Sequence, residues 1–279
     1  MKKMYGVIGD PIAHSMSPVM HNDLFDFYGI DASYLPLRVM RDDLEAAVKG
    51  LKAIGASGFN VTIPHKTEIM RHLDKIDPLA AAIGAVNTVK NENGLYVGYN
   101  TDGPGFVRGL ESRVADLVSR SALIIGAGGA ARAIYFSMAQ AGVKRIDIYN
   151  RTANKAEELV KACPYTVESC IVDQGTAEKS LAKYQLLVQT TSIGMVPDIG
   201  ITPLSPVNVK SGTFVSDIIY NPPLTSFLEA SAKNGAEIQN GIDMFVYQGA
   251  LAFEKWTGIF PDTERMKANV LRHLGGYTC

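Results

Sequence analysis

The chain has 279 residues, of which 47% are apolar and 20% are charged, and its formal net charge is −1. The apolar content excludes an intrinsically disordered protein, and the balanced charge excludes the basic field on which sequence-independent nucleic-acid binding depends. Three cysteines are too few for a secreted disulfide framework, and no cysteine–histidine cluster indicates a metal site. At about 150 residues per domain we expect two domains, in a cytoplasmic protein that binds neither membranes nor nucleic acids.

Short apolar runs alternate with helical patterns along the first part of the chain, which is typical of α/β proteins. The predicted strands here are Met4–Ile8, Gly58–Thr62, Ala85–Lys90 and Leu95–Tyr99. Asn93-Gly94, between the last two, predicts a hairpin turn. Ser17 followed by Pro18 predicts a helix with Ser17 as its N-cap. Asp42 and Glu45 have the spacing of a capping box, which predicts a second helix start.

Beyond residue 103 the pattern indicates a parallel sheet covered by helices, the doubly wound arrangement. Phe106, Leu110, Val114 and Leu117 form one apolar helical stripe. The predicted strands are Ser121–Ile125, Arg145–Tyr149, Leu186–Gln189 and Thr213–Ile219, and the predicted helices are Ala130–Ala141, Asn154–Ala162, Asp243–Thr257 and Asp262–Leu274. We predict an α/β domain over 1-103, completed by 241-279, and a Rossmann-type domain over 104-240.

A glycine-rich segment directly follows the apolar strand that ends at Ile125. Its residues are Gly126, Ala127, Gly128, Gly129 and Ala130, and with Ala131 they match the pattern G-x-G-x-x-A. Glycines allow a tight turn and a close approach of the backbone to a pyrophosphate, while the following helix offers unpaired N–H groups and a partial positive charge. The strand–turn–helix context makes a dinucleotide site the favoured interpretation over a ligand-free turn.

The end of the next strand indicates which dinucleotide is bound. NAD sites usually place an acidic residue there for the ribose 2′-hydroxyl, but this chain has Asn150, Arg151 and Thr152 at that point. Arg151 can bind a 2′-phosphate through two parallel N–H donors, and Lys155, one helical turn later, adds a positive point charge. The sequence therefore predicts NADP rather than NAD. The alternative is that Arg151 and Lys155 are ordinary solvated surface residues.

Polar side chains recur where the loops of the first domain should lie. They are Ser15, Ser17, Asn60, Thr62, Lys66, Asn87 and Asp102. Taken singly, each is explained by a cap, a turn or a solvated surface. Taken together, hydroxyls and amides suit a polyhydroxylated ligand, because both groups donate and accept hydrogen bonds.

Eight motifs in order along nearly the whole chain resemble the shikimate dehydrogenase family. They are Ser15-Met16-Ser17-Pro18; Asn60-Val61-Thr62 with Pro64 and Lys66; Gly84-Ala85 with Asn87-Thr88; Asn100-Thr101-Asp102-Gly103; Gly126–Ala131; Asn150-Arg151-Thr152; Asp217 with Tyr220 and Pro222; and Gly241 with Met244 and Gln248. The resemblance implies the NADP-dependent, reversible reduction of 3-dehydroshikimate to shikimate, in the pathway to chorismate and the aromatic amino acids. It also implies a small-molecule substrate.

The resemblance further implies a role for each matching residue. Lys66 and Asp102 match the catalytic pair, in which the ammonium exchanges a proton with the reacting oxygen and the carboxylate orients it. The substrate-binding positions are Ser15 and Ser17 for the carboxylate, with Tyr220 as a third donor, and Asn60, Thr62, Asn87 and Gln248 for the ring hydroxyls and carboxylate. Gly241 and Met244 match the wall on the nicotinamide side.

One position departs from the family pattern, and two other readings stay open. Gln189 stands where an asparagine is expected, which bears on how the ribose side of the cofactor is held. A dehydrogenase that accepts quinate or uses NAD is the near alternative. A regulatory module that binds a dinucleotide without chemistry is the distant one, although the presence of both Lys66 and Asp102 argues against it. The oligomeric state, monomer or homodimer, also stays open.

Overall fold

Two six-stranded sheets organise the chain in the computed structural model, which describes residues 2–275. The chain divides into a first unit, which contains the residues up to Thr101 and those from Val246 onward, and a second unit, Asp102–Phe245. Residues 276–279, the end of the segment 241-279 that we predict to complete the first domain, lie outside the described residues. Both units combine sheets with helices, in agreement with the predicted α/β class.

The first unit contains a mixed sheet flanked by helices. Its strands are β1 (Lys3–Gly9), β2 (Ala32–Arg38), β3 (Gly58–Val61), β4 (Lys75–Ile76), β5 (Thr88–Glu92) and β6 (Leu95–Tyr99), and its helices before residue 102 are α1 (Ser17–Phe27), α2 (Leu44–Ala53) and α3 (Pro78–Ile83). The strand order is β2-β1-β3-β5-β6-β4, so β2 and the two-residue β4 form the edges. The predicted hairpin joins β5 to β6, with Asn93 and Gly94 at φ values of +54° and +88°.

The second unit is a parallel sheet with helices between its strands. Its elements are α4 (Asp102–Glu111), β7 (Ser121–Ile125), α5 (Gly129–Gln140), β8 (Arg145–Tyr149), α6 (Ala153–Lys161), β9 (Ile171–Val172), α7 (Gln174–Ser180), β10 (Leu186–Gln189), β11 (Phe214–Asp217), α8 (Ser226–Lys233) and β12 (Glu237–Gln239). The strand order is β12-β11-β10-β7-β8-β9. With β7 as strand 1 and the sheet described from β9, this is the 3-2-1-4-5-6 order of dinucleotide-binding sheets. It agrees with the predicted doubly wound class.

Two helices and five short 3₁₀ turns complete the described chain. The helices are α9 (Gly241–Thr257), within which the division between the units falls, and α10 (Thr263–Gly275), and the 3₁₀ turns are Arg41–Asp43, Glu68–His72, Leu117–Ser119, Leu181–Lys183 and Pro206–Asn208. In the first unit, the Trp256 indole donates to the carbonyl of Val89 on β5 at 3.0 Å, and Arg265 pairs with Asp23 of α1. These bonds fasten α9 and α10 to the first sheet and to α1.

Two predicted helix caps are wrong. Ser17 is the first residue of α1 rather than its N-cap, and its N–H donates to the Ser15 hydroxyl at 3.3 Å. Among the described residues no side chain caps the start of α2, because the Arg41–Asp43 turn leads into it and Glu45 instead pairs with Lys49.

The predicted apolar stripe is also interrupted. α4 ends at Glu111, and Asp116 then takes a left-handed conformation with φ +54°. Val114 and Leu117 are nevertheless buried. The spacing therefore identified core residues correctly, but it overextended the helix that carries the first two of them.

Along residues 2–275 no helix combines the length and apolar composition that a membrane crossing requires. Within the same range, no three or more histidine, cysteine, aspartate or glutamate side chains are grouped to hold a metal ion.

Candidate active site

A buried hydrogen-bond network joins several of the polar residues singled out in the first unit. Asn60, on β3, pairs in register with Thr88 on β5. The Asn60 amide nitrogen donates to the Thr88 hydroxyl at 3.0 Å and to the Asn87 carbonyl at 3.1 Å. Asn87 in turn donates to the Thr101 hydroxyl at 2.9 Å, and its side-chain oxygen accepts from the Thr101 N–H at 2.7 Å. The sheet therefore brings Asn60 and Asn87 together and ties both to the residue before Asp102.

Tyr34 extends this network to Ser17. The Tyr34 hydroxyl donates to the Asn60 side-chain oxygen at 2.7 Å, and the phenol also hydrogen-bonds the Ser17 side chain. Burial raises the pKa of Tyr34 well above 10, so the phenol remains a donor at neutral pH. Sequence reasoning did not identify Tyr34 or Thr88. Thr88 lies inside a quoted motif, whereas nothing local to Tyr34 signals a partner that lies 26 residues away.

The remaining residues of the first unit lie on loops and on α9. Thr62 follows β3, and a side chain at Gly9, at the end of β1, would collide with its methyl group. Lys66 is half-buried, and its carbonyl accepts from the N–H of Val86 at 2.8 Å, beside Asn87. Ser15, before α1, and Gln248, on α9, are also half-buried. The structure thus anchors the backbone of Lys66 next to the asparagine network.

In the second unit, the glycine-rich segment forms the turn between β7 and α5. Gly126 has φ +119°, and a Cβ there would lie 2.5 Å from the Thr190 hydroxyl, so no other residue fits. Gly128 and Gly129 are exposed, with open space where their side chains would be. Within the described chain α5 begins at Gly129 with no side-chain cap, and Ala131 is fully buried against the sheet. The N-terminal N–H groups of α5 are therefore available to an anion.

Basic rather than acidic side chains follow β8. Arg151, Thr152 and Lys155 are exposed, and the Asn150 side chain donates to the Thr152 carbonyl at 2.7 Å. The carboxylate within β8, that of Asp147, is 3% exposed. It accepts from the Cys170 N–H at 3.0 Å and from the Tyr184 hydroxyl at 2.9 Å. The carboxylate of Asp147 is thus already hydrogen-bonded within the second unit.

A cavity of about 500 Å³ lies in the second unit, lined by residues of segments 190–196 and 218–221, Tyr220 included. Tyr220 also lies 5.9 Å, between ring centroids, from Phe245. Gly241, which starts α9, meets the 218–221 segment so closely that a Cβ would strike the Ile218 carbonyl. Met244, one turn later, is half-buried.

Asp217, at the end of β11, holds the chain that enters the 218–221 segment. Its carboxylate accepts from the Ile219 N–H at 2.9 Å and from the Thr225 hydroxyl at 2.8 Å. Burial outweighs these two bonds and raises the pKa of Asp217 to about 6.

Asp102 is the first residue of α4, in the second unit. A side chain at the next residue, Gly103, would collide with Ser137 and with the Ala133 carbonyl of α5. This close approach fixes the start of α4 against α5, and with it the backbone of Asp102.

Three family models match the chain. The shikimate dehydrogenase substrate binding domain matches residues 7–89, shikimate / quinate 5-dehydrogenase matches 109–195, and the shikimate 5′-dehydrogenase C-terminal domain matches 241–271. Together they cover more than half of the chain, and they include the segments that carry the asparagine network, Lys66 and the glycine-rich turn.

Curated and solved relatives agree with the family models. A Bacillus cereus (strain 03BB102) protein named shikimate dehydrogenase (NADP(+)) is 58% identical over 99% of this chain and 100% of its own length. The structure of shikimate 5-dehydrogenase from Listeria monocytogenes in complex with shikimate and NAD has a TM-score of 0.92 and 36% identity, with 96% of each chain covered. That of the Thermus thermophilus enzyme in complex with NADP(H) and shikimate has a TM-score of 0.87 and 34% identity, over 97% of this chain and 99% of that one. The chain belongs to the shikimate dehydrogenase family.

Proposed function

We propose that this chain catalyses the NADP-dependent, reversible reduction of 3-dehydroshikimate to shikimate. The observation that carries the proposal is the 58% identity, over almost the entire chain, to a relative named for this activity. Oxidoreductase chemistry on a small hydroxylated acid also fits the polar residues of the first unit and the glycine-rich turn of the second. The first unit, with the C-terminal helices, would bind the substrate, and the second would bind the cofactor.

The substrate-binding residues are those whose side chains match a hydroxylated ring with one carboxylate. Ser15 and Ser17, with Tyr220, offer hydroxyl donors for the carboxylate. The groups for the ring and its carboxylate are Asn60, Thr62, Asn87 and Gln248. The Asn60 amide hydrogens are both engaged by Asn87 and Thr88, and its side-chain oxygen already accepts from Tyr34. Asn60 therefore offers a ligand the second lone pair of that oxygen, which favours a hydroxyl over a carbonyl. A substrate that lacks that hydroxyl forgoes this bond, which supports discrimination.

Lys66 and Asp102 are the proposed acid–base pair. In the direction of reduction, the Lys66 ammonium donates a proton to the oxygen of the carbonyl as negative charge develops there, and in the reverse direction the Lys66 amine takes that proton back. Asp102 orients the Lys66 ammonium toward the reacting oxygen. The bound nicotinamide supplies the hydride to the carbonyl carbon, or accepts it in the reverse direction.

The cofactor-binding residues fit a dinucleotide that carries a 2′-phosphate. Gly126, Ala127, Gly128, Gly129 and Ala130 would hold the pyrophosphate at the start of α5. The residues for the adenosine ribose and its phosphate are Asn150, Arg151, Thr152 and Lys155. On the nicotinamide side, Gly241 and Met244 form the wall. The exposed guanidinium of Arg151 and the buried, engaged carboxylate of Asp147 both support NADP over NAD.

The activity is tested by absorbance at the reduced-nicotinamide band, with shikimate or quinate crossed against NADP⁺ or NAD⁺. We expect the highest kcat/KM for shikimate with NADP⁺. A preference for quinate or NAD⁺ would support the broader dehydrogenase instead, and no turnover of any pair would support a regulatory binding module.

Lys66→Ala tests the acid–base role. We expect kcat to fall at least about a hundredfold with a modest change in KM, because a well-placed acid–base group contributes about 10²–10⁴ in rate. Lys49→Ala removes an exposed lysine of α2 that pairs with Glu45, and it serves as the control. A Lys66→Ala variant that keeps more than about a tenth of wild-type kcat contradicts the role.

Arg151→Ser tests the 2′-phosphate contact. We expect KM for NADP⁺ to rise about tenfold, since charge-assisted bidentate bonds are among the stronger hydrogen bonds, while KM for NAD⁺ changes little. An equal change for both cofactors would show that Arg151 does not read the phosphate.

A further inference from the structure

Gln189 lies fully buried beneath the cavity of the second unit and is bonded to both segments that line it. It is the last residue of β10 and has no exposed surface. Its side-chain nitrogen donates to the carbonyls of Thr191 at 3.1 Å and Ile193 at 3.0 Å, and its side-chain oxygen accepts from the Thr191 N–H at 2.5 Å. Its backbone carbonyl accepts from the N–H of Ile218 at 3.1 Å. Gln189 itself is not among the described residues that line the cavity.

The segment that Gln189 holds touches the glycine-rich turn. Thr190 donates through its hydroxyl to the Ile125 carbonyl at 2.7 Å, and the same hydroxyl occupies the space in which a Cβ of Gly126 would lie. Gly194, at φ +93°, turns the chain after the bonded residues. The Gln189 amide thus makes three of the bonds that hold segment 190–194. The others include the Thr190 N–H to the Ile125 carbonyl at 2.9 Å and the Ile193 N–H to the Thr191 hydroxyl at 3.2 Å.

Strand order indicates which end of a dinucleotide this segment meets. The carboxyl ends of parallel strands share one edge of the sheet, and a dinucleotide lies along that edge with its pyrophosphate at the glycine-rich turn. β8, which leads to Arg151, lies on one side of β7, whereas β10 and β11 lie on the other. If the adenosine phosphate is at Arg151, then the nicotinamide half lies over β10 and β11, where the cavity is.

We propose that Gln189 is a positioning residue for the nicotinamide half of the cofactor, because its amide shapes the 190–194 segment without contacting the ligand. This inference rests on the proposed function. From the end of β10 the glutamine side chain reaches Thr191 and Ile193 together. Removal of the amide leaves three backbone groups of the segment without their partner, and the segment then loses its fixed shape.

The test compares a whole cofactor with its adenosine half by isothermal titration calorimetry. Gln189→Met preserves the length and much of the volume of the side chain but removes its hydrogen bonds. We expect the Kd for NADP⁺ to rise about tenfold, and the Kd for 2′,5′-ADP, which reaches only the Arg151 end, to stay at the wild-type value. Gln185→Ala is the matched control, since Gln185 also bonds the backbone from the same chain segment, but at Ser121. It leaves both constants unchanged.

Gln189→Glu provides a second test that does not depend on the folding of the first variant. It is nearly isosteric, but its carboxylate cannot donate to the two carbonyls, so it weakens NADP⁺ and spares 2′,5′-ADP in the same way. Unchanged NADP⁺ affinity in both variants, or equal weakening of both ligands, overturns the inference. A wild-type protein that binds neither ligand would refute the proposed function first, and the inference would fall with it.

Discussion

His21 makes the stability of the first unit depend on pH. Its ring is fully buried, and neither ring nitrogen has a hydrogen-bond partner among residues 2–275. It stacks on Tyr34 at 4.6 Å between ring centroids and lies 5.3 Å from Trp256. Since an imidazolium could not be solvated or paired among these rings, burial lowers the pKa of His21 to about 3.

The sign of the effect follows from the proton balance. In the unfolded chain the pKa of a histidine is about 6.5. Below that pH the unfolded state therefore binds a proton at His21 that the folded state does not bind. The free energy of unfolding therefore falls as the pH is lowered, until the folded-state pKa is reached. Between about pH 7.5 and about pH 5, the contribution of His21 amounts to about 2 kcal/mol.

His21→Phe keeps a flat ring in the stack and removes the titrating group. Urea unfolding is followed by the fluorescence of Trp256, the only tryptophan, which belongs to the same cluster. We expect the difference in unfolding free energy between about pH 7.5 and about pH 5 to be about 2 kcal/mol smaller in the variant than in the wild type. Phe253→Leu, which disturbs the same stack, should shift stability equally at both pH values. Equal pH dependence in His21→Phe and the wild type would refute the reasoning.

Two further predictions concern stability. Asp217→Asn removes a carboxyl whose folded pKa of about 6 lies above its unfolded value. The free energy of unfolding of the wild type therefore falls by about 2 kcal/mol as the pH rises from about 4 to about 6, and that of the variant does not. Unfolding curves at the two pH values measure this, and parallel behaviour would contradict it. Tyr34→Phe removes bonds to Asn60 and Ser17 and should lower the free energy of unfolding in urea by about 1–3 kcal/mol. The control Tyr96→Phe should lower it less, because the Tyr96 hydroxyl makes one 3.3 Å bond to a carbonyl. An equal loss in the two variants would contradict a stabilising role for the buried network.

Apolar runs predicted the central strands of the second sheet well, because a strand inside a parallel sheet needs apolar residues at successive positions. The strands β2, β4, β9 and β12 were not predicted. Ser121–Ile125, Arg145–Tyr149 and Leu186–Gln189 were predicted with the bounds that the structure has. Helix starts were predicted less well, since a capping motif reports only the local preference. At Ser17 the helix begins one residue earlier than predicted, with Met16 in the cap position. At Asp42 the Arg41–Asp43 turn replaces the predicted cap.

The candidate site was predictable where a residue type is tied to a chemical task, as with the glycines at 126 and 128 or the cation at Arg151. What the sequence could not reveal is which polar groups are already engaged by one another. The bonds of Tyr34 to Asn60, and of Asp147 to Tyr184, join segments far apart in the chain. The sequence showed Gln189 only as a departure from the family pattern, and its three bonds to the following loop are visible only in the structure.

The margins of the first sheet bear on how this protein behaves when concentrated. β2 carries Pro36 in its interior, and proline has no N–H to offer a neighbouring strand, whereas β4 is only two residues long. Lateral recruitment of a foreign strand, the first step of amyloid-like self-association, needs a continuous row of unpaired backbone groups. Within the described chain neither margin presents such a row, so the sheet is closed to growth in both directions.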